Sequence, residues 1–431
     1  MLLTVAVLLG VFFVLVMLGV PIAVSIGLAT VSTLMLTLPG DIALTTMAQR
    51  LAAGLDSFTL LAIPFFVISG YLMGRGGIAR RLIEAAKALV GTLPGGLALV
   101  NTISCMLFGS ISGSAVAATS AIGTFMIPTM EDEGYEREFS TSVTIAGSIL
   151  GLLIPPSNVL IVYAVAAGSV SIAALFMAGY VPGILSGALL MLVAAVYSHR
   201  KGYPRSARIP MRAALRKLAD AAPSIAMVLI VVGGIIAGIF TATEASAIAV
   251  IYALVLSLIY REIKVADLPS ILLKSIETTA MVLLLIGVST GMAWVLAYGN
   301  IPQAISDGML SISDNPIVIL LLINLILLVV GAFLDITPAI LIFTPIFLPV
   351  AMQMGMTPLH FGIMLVLNLS IGLCTPPVGS VLFVGCAVGN TTIQQLVRPM
   401  LLLYSALIVA LLLVTYIPIL SEGLPKMAGL I

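Results

Sequence analysis

Two matching stretches, Gly151-Leu-Leu-Ile-Pro-Pro-Ser157-Asn158 and Gly372-Leu-Cys-Thr-Pro-Pro-Val378-Gly379, interrupt long apolar segments in the two halves of the chain. Adjacent prolines supply no backbone donors, and each proline disfavours the helical conformation in the residue before it. An apolar helix that runs into either stretch is therefore predicted to break. The carbonyl groups before the break then lose their usual helical partners.

The correspondence extends well beyond the double prolines. The offset that places Gly151 on Gly372 also places Gly70 on Gly291 and Pro128 on Pro349. Each half carries five predicted spans, and an odd number of spans inverts the second half relative to the first. Inverted repeats with broken helices are typical of secondary transporters, whose sites lie near the middle of the membrane. Duplication of an inert scaffold is the alternative, but it would not by itself keep helix breaks at the same depth in both halves.

The composition independently predicts a membrane protein. Of 431 residues, 61% are apolar and only 8% are charged, whereas a soluble domain carries about 25% charged residues. A water-soluble globule is therefore excluded. The net charge of +1 gives no indication of a nucleic-acid surface, and the three cysteines have no metal-binding or disulfide spacing.

The predicted fold is all-α, with about ten spans. These spans are segments 2–18, 20–38, 58–73, 140–167, 170–197, 223–240, 244–260, 278–298, 359–389 and 400–420. Segments 96–130 and 300–355 are too long for one crossing and are interrupted near the middle, so each is predicted to form a re-entrant hairpin. The more polar segments 41–57, 78–90 and 261–277 are predicted to be helices along the membrane interface.

Basic residues set the predicted orientation. They cluster in loop 198–218, which is therefore expected to be cytoplasmic, with both chain termini outside. The predicted organisation is first-repeat scaffold and arm helices (1–73), first hairpin and broken helix (74–168), linking span and basic loop (169–222), second scaffold and arm (223–298), second hairpin and broken helix (299–390), and a C-terminal span (391–431).

The two breaks are candidate cation sites. Backbone carbonyls and hydroxyls make a hard, weakly charged set of oxygen ligands, which suits an alkali cation better than zinc or iron. The alternative is a packing kink whose carbonyls are capped by neighbouring Ser or Thr. A single break favours the kink, whereas a matched pair favours two cation sites.

The hairpin tips are candidate substrate sites. Ser110, Ser112 and Ser114 surround glycine in the first tip, where free amides and hydroxyls can face an anion. Asp335 is the carboxylate in the second tip, and an ionisable group at that depth is a functional candidate as a cation ligand or a substrate acceptor. Asp335 is also a candidate N-cap, and the roles are compatible.

Several segments of the sequence resemble those of a known protein family. The matching segments are Gly54-Leu-Asp-Ser-Phe-Thr-Leu-Leu-Ala-Ile-Pro64, Gly109-Ser-Ile-Ser-Gly-Ser114, both Gly-Leu-x-x-Pro-Pro breaks, Ala242-Thr-Glu-Ala-Ser246 and Gly331-Ala-Phe-Leu-Asp335. Their order and spacing resemble the large membrane subunit of tripartite ATP-independent periplasmic (TRAP) transporters. The resemblance implies sodium-driven uptake of a small organic acid across the bacterial inner membrane by an elevator movement. It also implies two partners, a periplasmic substrate-binding protein and a separate small four-span membrane subunit.

The resemblance also implies specific site residues. A first sodium site would use the carbonyls of Gly109, Ser112, Gly151, Ile154 and Pro156, and a second would use Gly331, Gly372, Thr375 and Val378. Substrate contacts would come from Ser112, Ser114, Ser157, Asn158 and Asp335. The division between substrate and ion ligands stays open.

Three other functions are weighed against this interpretation. A stand-alone sodium/anion symporter without a binding protein is the main alternative. A membrane enzyme would need a nucleophile with a base or a metal triad, and the two histidines lie far in sequence from any cysteine or paired carboxylate. A channel does not require two opposed hairpins.

Overall fold

The computed structural model describes residues 2–168, 170–204 and 210–431, and every described secondary-structure element is helical. Arg205 and Arg208 of the predicted basic loop lie outside the described residues. The first half of the chain forms α1 (Leu2–Met17), α2 (Ile22–Leu34), α3 (Gly40–Leu55), α4 (Ala62–Arg75), α5 (Ile78–Val90), α6 (Gly96–Ser112), α7 (Ala115–Asp132), α8 (Arg137–Leu150), α9 (Asn158–Ala167) and α10 (Ile172–Lys201).

The second half repeats this order of elements. It forms α11 (Met211–Ile236), α12 (Ala242–Ile259), α13 (Leu268–Tyr298), α14 (Ile301–Leu310), α15 (Pro316–Phe333), α16 (Ile336–Gln353), α17 (Pro358–Gly372), α18 (Ser380–Gly389), α19 (Ile393–Tyr416) and α20 (Ile419–Met427). The shift that places Gly151 on Gly372 also brings α1 onto α11, α2 onto α12 and each helix from α5 to α9 onto one from α14 to α18. The offset seen in the sequence is thus an offset between whole helices.

The helices differ from the predicted spans in several places. Eight helices in the described part of the chain are long and apolar enough to cross a membrane, and α1 and α2 are shorter. Predicted spans 140–167 and 359–389 are each divided in two at the double prolines. The predicted interface helix 261–277 is wrong in one respect, because most of it is continuous with the following span in α13. The second hairpin is confined to α15 and α16, and α14 is a separate helix.

The helices form two groups joined by short helices. The first group, termed the scaffold, consists of α1–α4 and α11–α13, in which α12 packs against α4 and α13 packs against α2 and α3. The second group, termed the hairpin bundle, contains α6–α10 and α15–α20, in which α6 and α7 pack against α8 and α15 packs against α17. Helix α5 contacts both α11 and α6, and α14 contacts both α13 and α16. These two short helices therefore connect the scaffold to the hairpins.

Close packing fixes the two broken helices against each other. The ring of Tyr163 in α9 occupies the space beside Gly362 in α17, where a Cβ atom would lie 2.1 Å from Tyr163 Cε1. The Tyr163 hydroxyl donates to the carbonyl oxygen of Pro358 at 2.5 Å. The second half of one broken helix is thereby held on the first half of the other.

Candidate functional site

Each hairpin touches its broken helix through a pair of glycines. A Cβ atom added to Gly151 would lie 2.5 Å from Cα of Gly109, and one added to Gly372 would lie 2.5 Å from Cα of Gly331. No real side chain tolerates such a distance, so only glycine permits the two backbones to approach this closely. The family resemblance assigns these four residues to the candidate cation sites, and the structure brings them together as two backbone contacts.

The residues of each break lie outside the helices on either side. The chain leaves α8 at Gly151 and re-enters a helix at Asn158, and it leaves α17 at Gly372 and re-enters at Ser380. Tyr404 donates its hydroxyl proton to the carbonyl oxygen of Cys374, which anchors the second break to α19. The predicted breaks are therefore present at both double prolines.

The breaks supply the kind of oxygen donors that an alkali cation takes. Hydrogen bonds engage two of the proposed carbonyl ligands, because Gly113 N–H donates to Gly109 O at 2.8 Å and Thr375 N–H donates to Gly372 O at 2.9 Å. Within the described residues, no backbone N–H donates to the other proposed carbonyl oxygens, those of Ser112, Gly151, Ile154, Pro156, Gly331, Thr375 and Val378. Polar carbonyls without partners at membrane depth require compensation, so this donor set fits a cation.

Across residues 2–168, 170–204 and 210–431, no group of three or more His, Cys, Asp or Glu side chains is placed to hold a metal ion. His360, which the sequence leaves without a role, is buried and its Nε2 lies 2.7 Å from the carbonyl oxygen of Val414. That histidine is thus accounted for by a structural hydrogen bond.

The two hairpin tips carry different polar groups at equivalent positions. Ser114 is the N-cap of α7, and its hydroxyl accepts from Ala117 N–H at 3.2 Å. Asp335 is the N-cap of α16, and its carbonyl oxygen accepts from Ala339 N–H at 3.2 Å, but its side chain does not cap the helix, so the predicted side-chain cap is absent there. Its Oδ1 instead accepts from the Ser380 hydroxyl at 3.3 Å, and the side chain is exposed to the adjoining cavity.

A cavity of about 530 Å³ lies between the hairpin tips and the scaffold. Four of the five predicted substrate residues line it, namely Ser112, Ser114, Asn158 and Asp335. The exception is Ser157, which is buried and donates its hydroxyl proton to the carbonyl oxygen of Leu152. The structure thus gathers most of the predicted site around one space that is large enough for a small organic molecule.

The scaffold wall of this cavity contains polar residues that the sequence analysis missed. Tyr71 and Arg75 extend from α4, and Thr278 extends from α13. The Tyr71 hydroxyl lies 3.0 Å from Thr278 Oγ1, and Arg75 Nη1 donates to the Ser270 hydroxyl at 2.7 Å. The available signal was the spacing of Tyr71 and Arg75, because residues four apart share one face of a helix.

Comparison with known families gives an independent result. The model of the family described as "Tripartite ATP-independent periplasmic transporter, DctM component" matches residues 9–420 of this chain.

Individual proteins are similar over nearly the whole chain. It is 53% identical over 421 residues to "Uncharacterized protein YgiK" of Salmonella typhimurium, covering 98% of this chain and 97% of that protein. It is 40% identical to the C4-dicarboxylate TRAP transporter large permease protein DctM of Pseudomonas aeruginosa, covering 94% and 95%. It is 39% identical to the isethionate TRAP transporter permease protein DctMQ of Oleidesulfovibrio alaskensis, covering 96% of this chain and 65% of that protein.

The fold is also similar to a solved transporter structure. The YdaH transporter of Alcanivorax borkumensis superimposes with a TM-score of 0.59 at 14% sequence identity, covering 89% of this chain and 90% of that one. This similarity concerns the fold alone.

Proposed function

The chain belongs to the tripartite ATP-independent periplasmic transporter family as its DctM component, and from this premise we propose that it imports a small organic acid by coupling to sodium. The matched relatives with assigned names are permeases rather than enzymes. The proposed location is the bacterial inner membrane, with loop 198–218 on the cytoplasmic side. Sodium is here a co-transported substrate.

The observation that carries this proposal is the meeting of two broken helices and two hairpin tips around one cavity. Each glycine pair places a set of backbone carbonyls beside a hairpin tip. The same tips present Ser112, Ser114 and Asp335 to the cavity. The proposed cation ligands and the proposed anion ligands thus lie on the same short segments of chain, which is the arrangement that coupled binding requires.

Electrostatics supplies the coupling in this proposal. Without sodium, the hairpin bundle carries the Asp335 charge and carbonyl dipoles that lack partners, which are costly to move through a low-dielectric region. Sodium offsets that charge and orders the hairpin tips, so the carboxylate of the substrate then meets the hydroxyls and amide of Ser112, Ser114 and Asn158. By reciprocity, each ligand strengthens the binding of the other. The loaded hairpin bundle then moves as an elevator against the scaffold.

Two partners complete the proposed transporter. A periplasmic binding protein delivers the acid, and a small four-span membrane subunit joins the scaffold. The isethionate relative supports the second partner, because its name joins M and Q components and this chain spans only 65% of its length. The names of the relatives specify isethionate and C4-dicarboxylates, both small organic anions. We propose a carboxylate of this size for the present chain.

Reconstitution tests the proposal directly. Proteoliposomes containing this chain, with or without the small subunit, are supplied with purified binding proteins loaded with succinate, isethionate, sialic acid or 2,3-diketo-L-gulonate. We expect uptake of at least one acid only when the small subunit, a binding protein and an inward sodium gradient are all present. Equal uptake in potassium contradicts sodium coupling. Uptake without a binding protein favours the stand-alone symporter.

A further inference from the structure

Arg75 is a cation at the scaffold wall of the cavity for which the proposed mechanism has no use. It lies in the last turn of α4, and its exposed side chain borders the cavity. Among the described residues that line the cavity, it is the only Arg or Lys. One guanidinium nitrogen donates to the Ser270 hydroxyl, which leaves other N–H groups free to donate.

Three nearby cations, Arg80, Arg81 and Lys217, differ from Arg75 in having acidic partners. Arg80 and Arg81 lie 3.1 Å and 3.9 Å from Glu262 Oε1, and Lys217 is paired with Glu84. None of the six ion pairs formed by the described residues includes Arg75. Arg75 therefore has no acidic partner among the described residues, and it borders the cavity.

The groups beside Arg75 extend this polar surface along the scaffold wall. Tyr71 lies one helical turn earlier on the same face of α4, and its hydroxyl is held 3.0 Å from Thr278 Oγ1. Ser114 and Asn158 of the hairpin bundle line the same cavity. A molecule in this cavity can therefore contact the hairpin tips on one side and a guanidinium on the other.

We propose that Arg75, positioned by Ser270, is the scaffold half of an anion site that binds the carboxylate of the transported acid. Guanidinium groups bind carboxylates through paired hydrogen bonds, and a water-accessible cavity lets the anion enter and leave. The inference rests on the proposed function and adds a contact on the scaffold. Because the scaffold does not travel with the hairpin bundle in an elevator, Arg75 meets the acid only when the tips lie on its own side of the membrane.

This geometry predicts an effect on one face of the membrane only. In proteoliposomes of known orientation, Arg75→Gln is expected to raise the half-saturating acid concentration on the face that carries Arg75 by roughly tenfold. The value on the other face is expected to stay unchanged, and Arg75→Lys is expected to restore part of the loss. Arg80→Gln is the matched control, because it removes the same charge nearby from a residue that does not line the cavity. Equal half-saturation for wild type and Arg75→Gln on the Arg75 face overturns the inference.

A second measurement does not depend on transport. Thr278→Cys, in a background with the three native cysteines replaced, is treated with a negatively charged sulfonate thiol reagent and with its positively charged trimethylammonium counterpart. We expect the anionic reagent to be favoured severalfold, and Arg75→Gln, but not Arg80→Gln, to abolish this preference. If wild type carries no acid, the proposed function fails while this ratio still decides whether the cavity attracts anions. A ratio unaffected by Arg75→Gln contradicts the anion site.

Discussion

Ser114 and Asp335 occupy equivalent positions in the two repeats, each as the N-cap of the second arm of its hairpin. The serine caps its own helix by accepting from Ala117 N–H, whereas the aspartate accepts from the Ser380 hydroxyl and turns towards the cavity. A carboxylate at membrane depth is costly unless it binds a partner. The two repeats therefore share a backbone but differ in chemistry at the residue that faces the cavity.

Asp335→Asn tests this difference, because it preserves the shape of the side chain and removes its charge. We expect sodium-dependent uptake to fall by roughly tenfold or more, since a charged partner of the cation or substrate is lost. The measurement is initial uptake rate against sodium concentration in proteoliposomes. Asp307→Asn is the control, since Asp307 is exposed on α14. An Asp335→Asn variant with wild-type sodium dependence would remove Asp335 from the mechanism.

The glycine contacts give a second prediction. In Gly151→Ala and Gly372→Ala the new methyl group would lie 2.5 Å from the opposing glycine Cα, so the hairpin tip must move away. We expect loss of sodium-dependent uptake and destabilisation of about 1–3 kcal/mol, as for other overpacked sites. Thermal unfolding of the purified protein and uptake are measured together. Gly233→Ala is the control, because its Cβ meets nothing within 4 Å, and equal behaviour of all three variants contradicts the role of the contacts.

We expect sodium binding at the second break to depend on the position of Thr375. Its hydroxyl donates to Ile371 O at 2.8 Å, which holds the end of α17 beside the proposed cation ligands. We expect Thr375→Ala to raise the half-saturating sodium concentration severalfold with little effect on the acid at saturating sodium. Thr129→Ala is the control, because it removes a similar bond, from Thr129 Oγ1 to Phe125 O, in a helix away from the second break. A sodium dependence shared by wild type and Thr375→Ala argues against this site.

Equivalent contacts in the two repeats also hold the N-cap residues of α8 and α17, at positions outside the predicted spans. Lys201 Nζ donates to Glu136 Oε1 at 2.7 Å. At the equivalent positions of the second repeat, the Thr357 hydroxyl donates to Glu422 Oε1 at 2.6 Å. The hydrogen bond from Lys201 lowers the pKa of Glu136 below its ordinary value of 4.5. The contribution of this carboxylate to stability is therefore present above pH 4.5 and is lost as the pH falls through the lowered value.

The pH dependence of the stabilisation by the Lys201–Glu136 pair can be measured. Lys201→Met is expected to lower the Tm slightly at neutral pH, because exposed pairs contribute little. The difference from wild type is expected to shrink as the pH falls below 4.5. Lys426→Met is a useful comparison, since that lysine pairs with Glu422 at the other set of contacts. A Tm difference that grows on acidification contradicts the assignment.

Helix breaks and hairpins could be predicted because proline and glycine act locally. Two prolines in a row stop a helix regardless of its surroundings, and the repeat indicates that both breaks matter. The joining of 261–277 to the next span could not be predicted from polarity, since residues such as Lys274 and Glu277 are good helix formers even where they do not suit lipid. The polarity of a segment indicates whether it faces lipid or water, whereas the continuity of a helix depends on whether helix-breaking residues such as proline or glycine interrupt it.

The candidate site was predictable in part. Hairpin residues stand out in the sequence because serine, glycine and aspartate interrupt apolar runs. Ser157 has the same chemistry but donates its hydroxyl proton to Leu152 O inside the protein, and only the folded chain distinguishes the two cases. Arg75 lies at the end of a span, where a basic residue is expected in any membrane protein. Its position on the cavity wall depends on contacts between α4 and α13 that no local pattern encodes.

Coupling between sodium and acid is tested most directly by equilibrium binding to the purified complex of this chain with its small subunit. The acid carried in proteoliposomes is titrated in sodium and in potassium, and sodium is titrated with and without saturating acid. The breaks and tips share the same segments of chain, so we expect sodium to tighten acid binding severalfold and the acid to tighten sodium binding by the same factor. Two affinities that do not depend on each other would contradict the account.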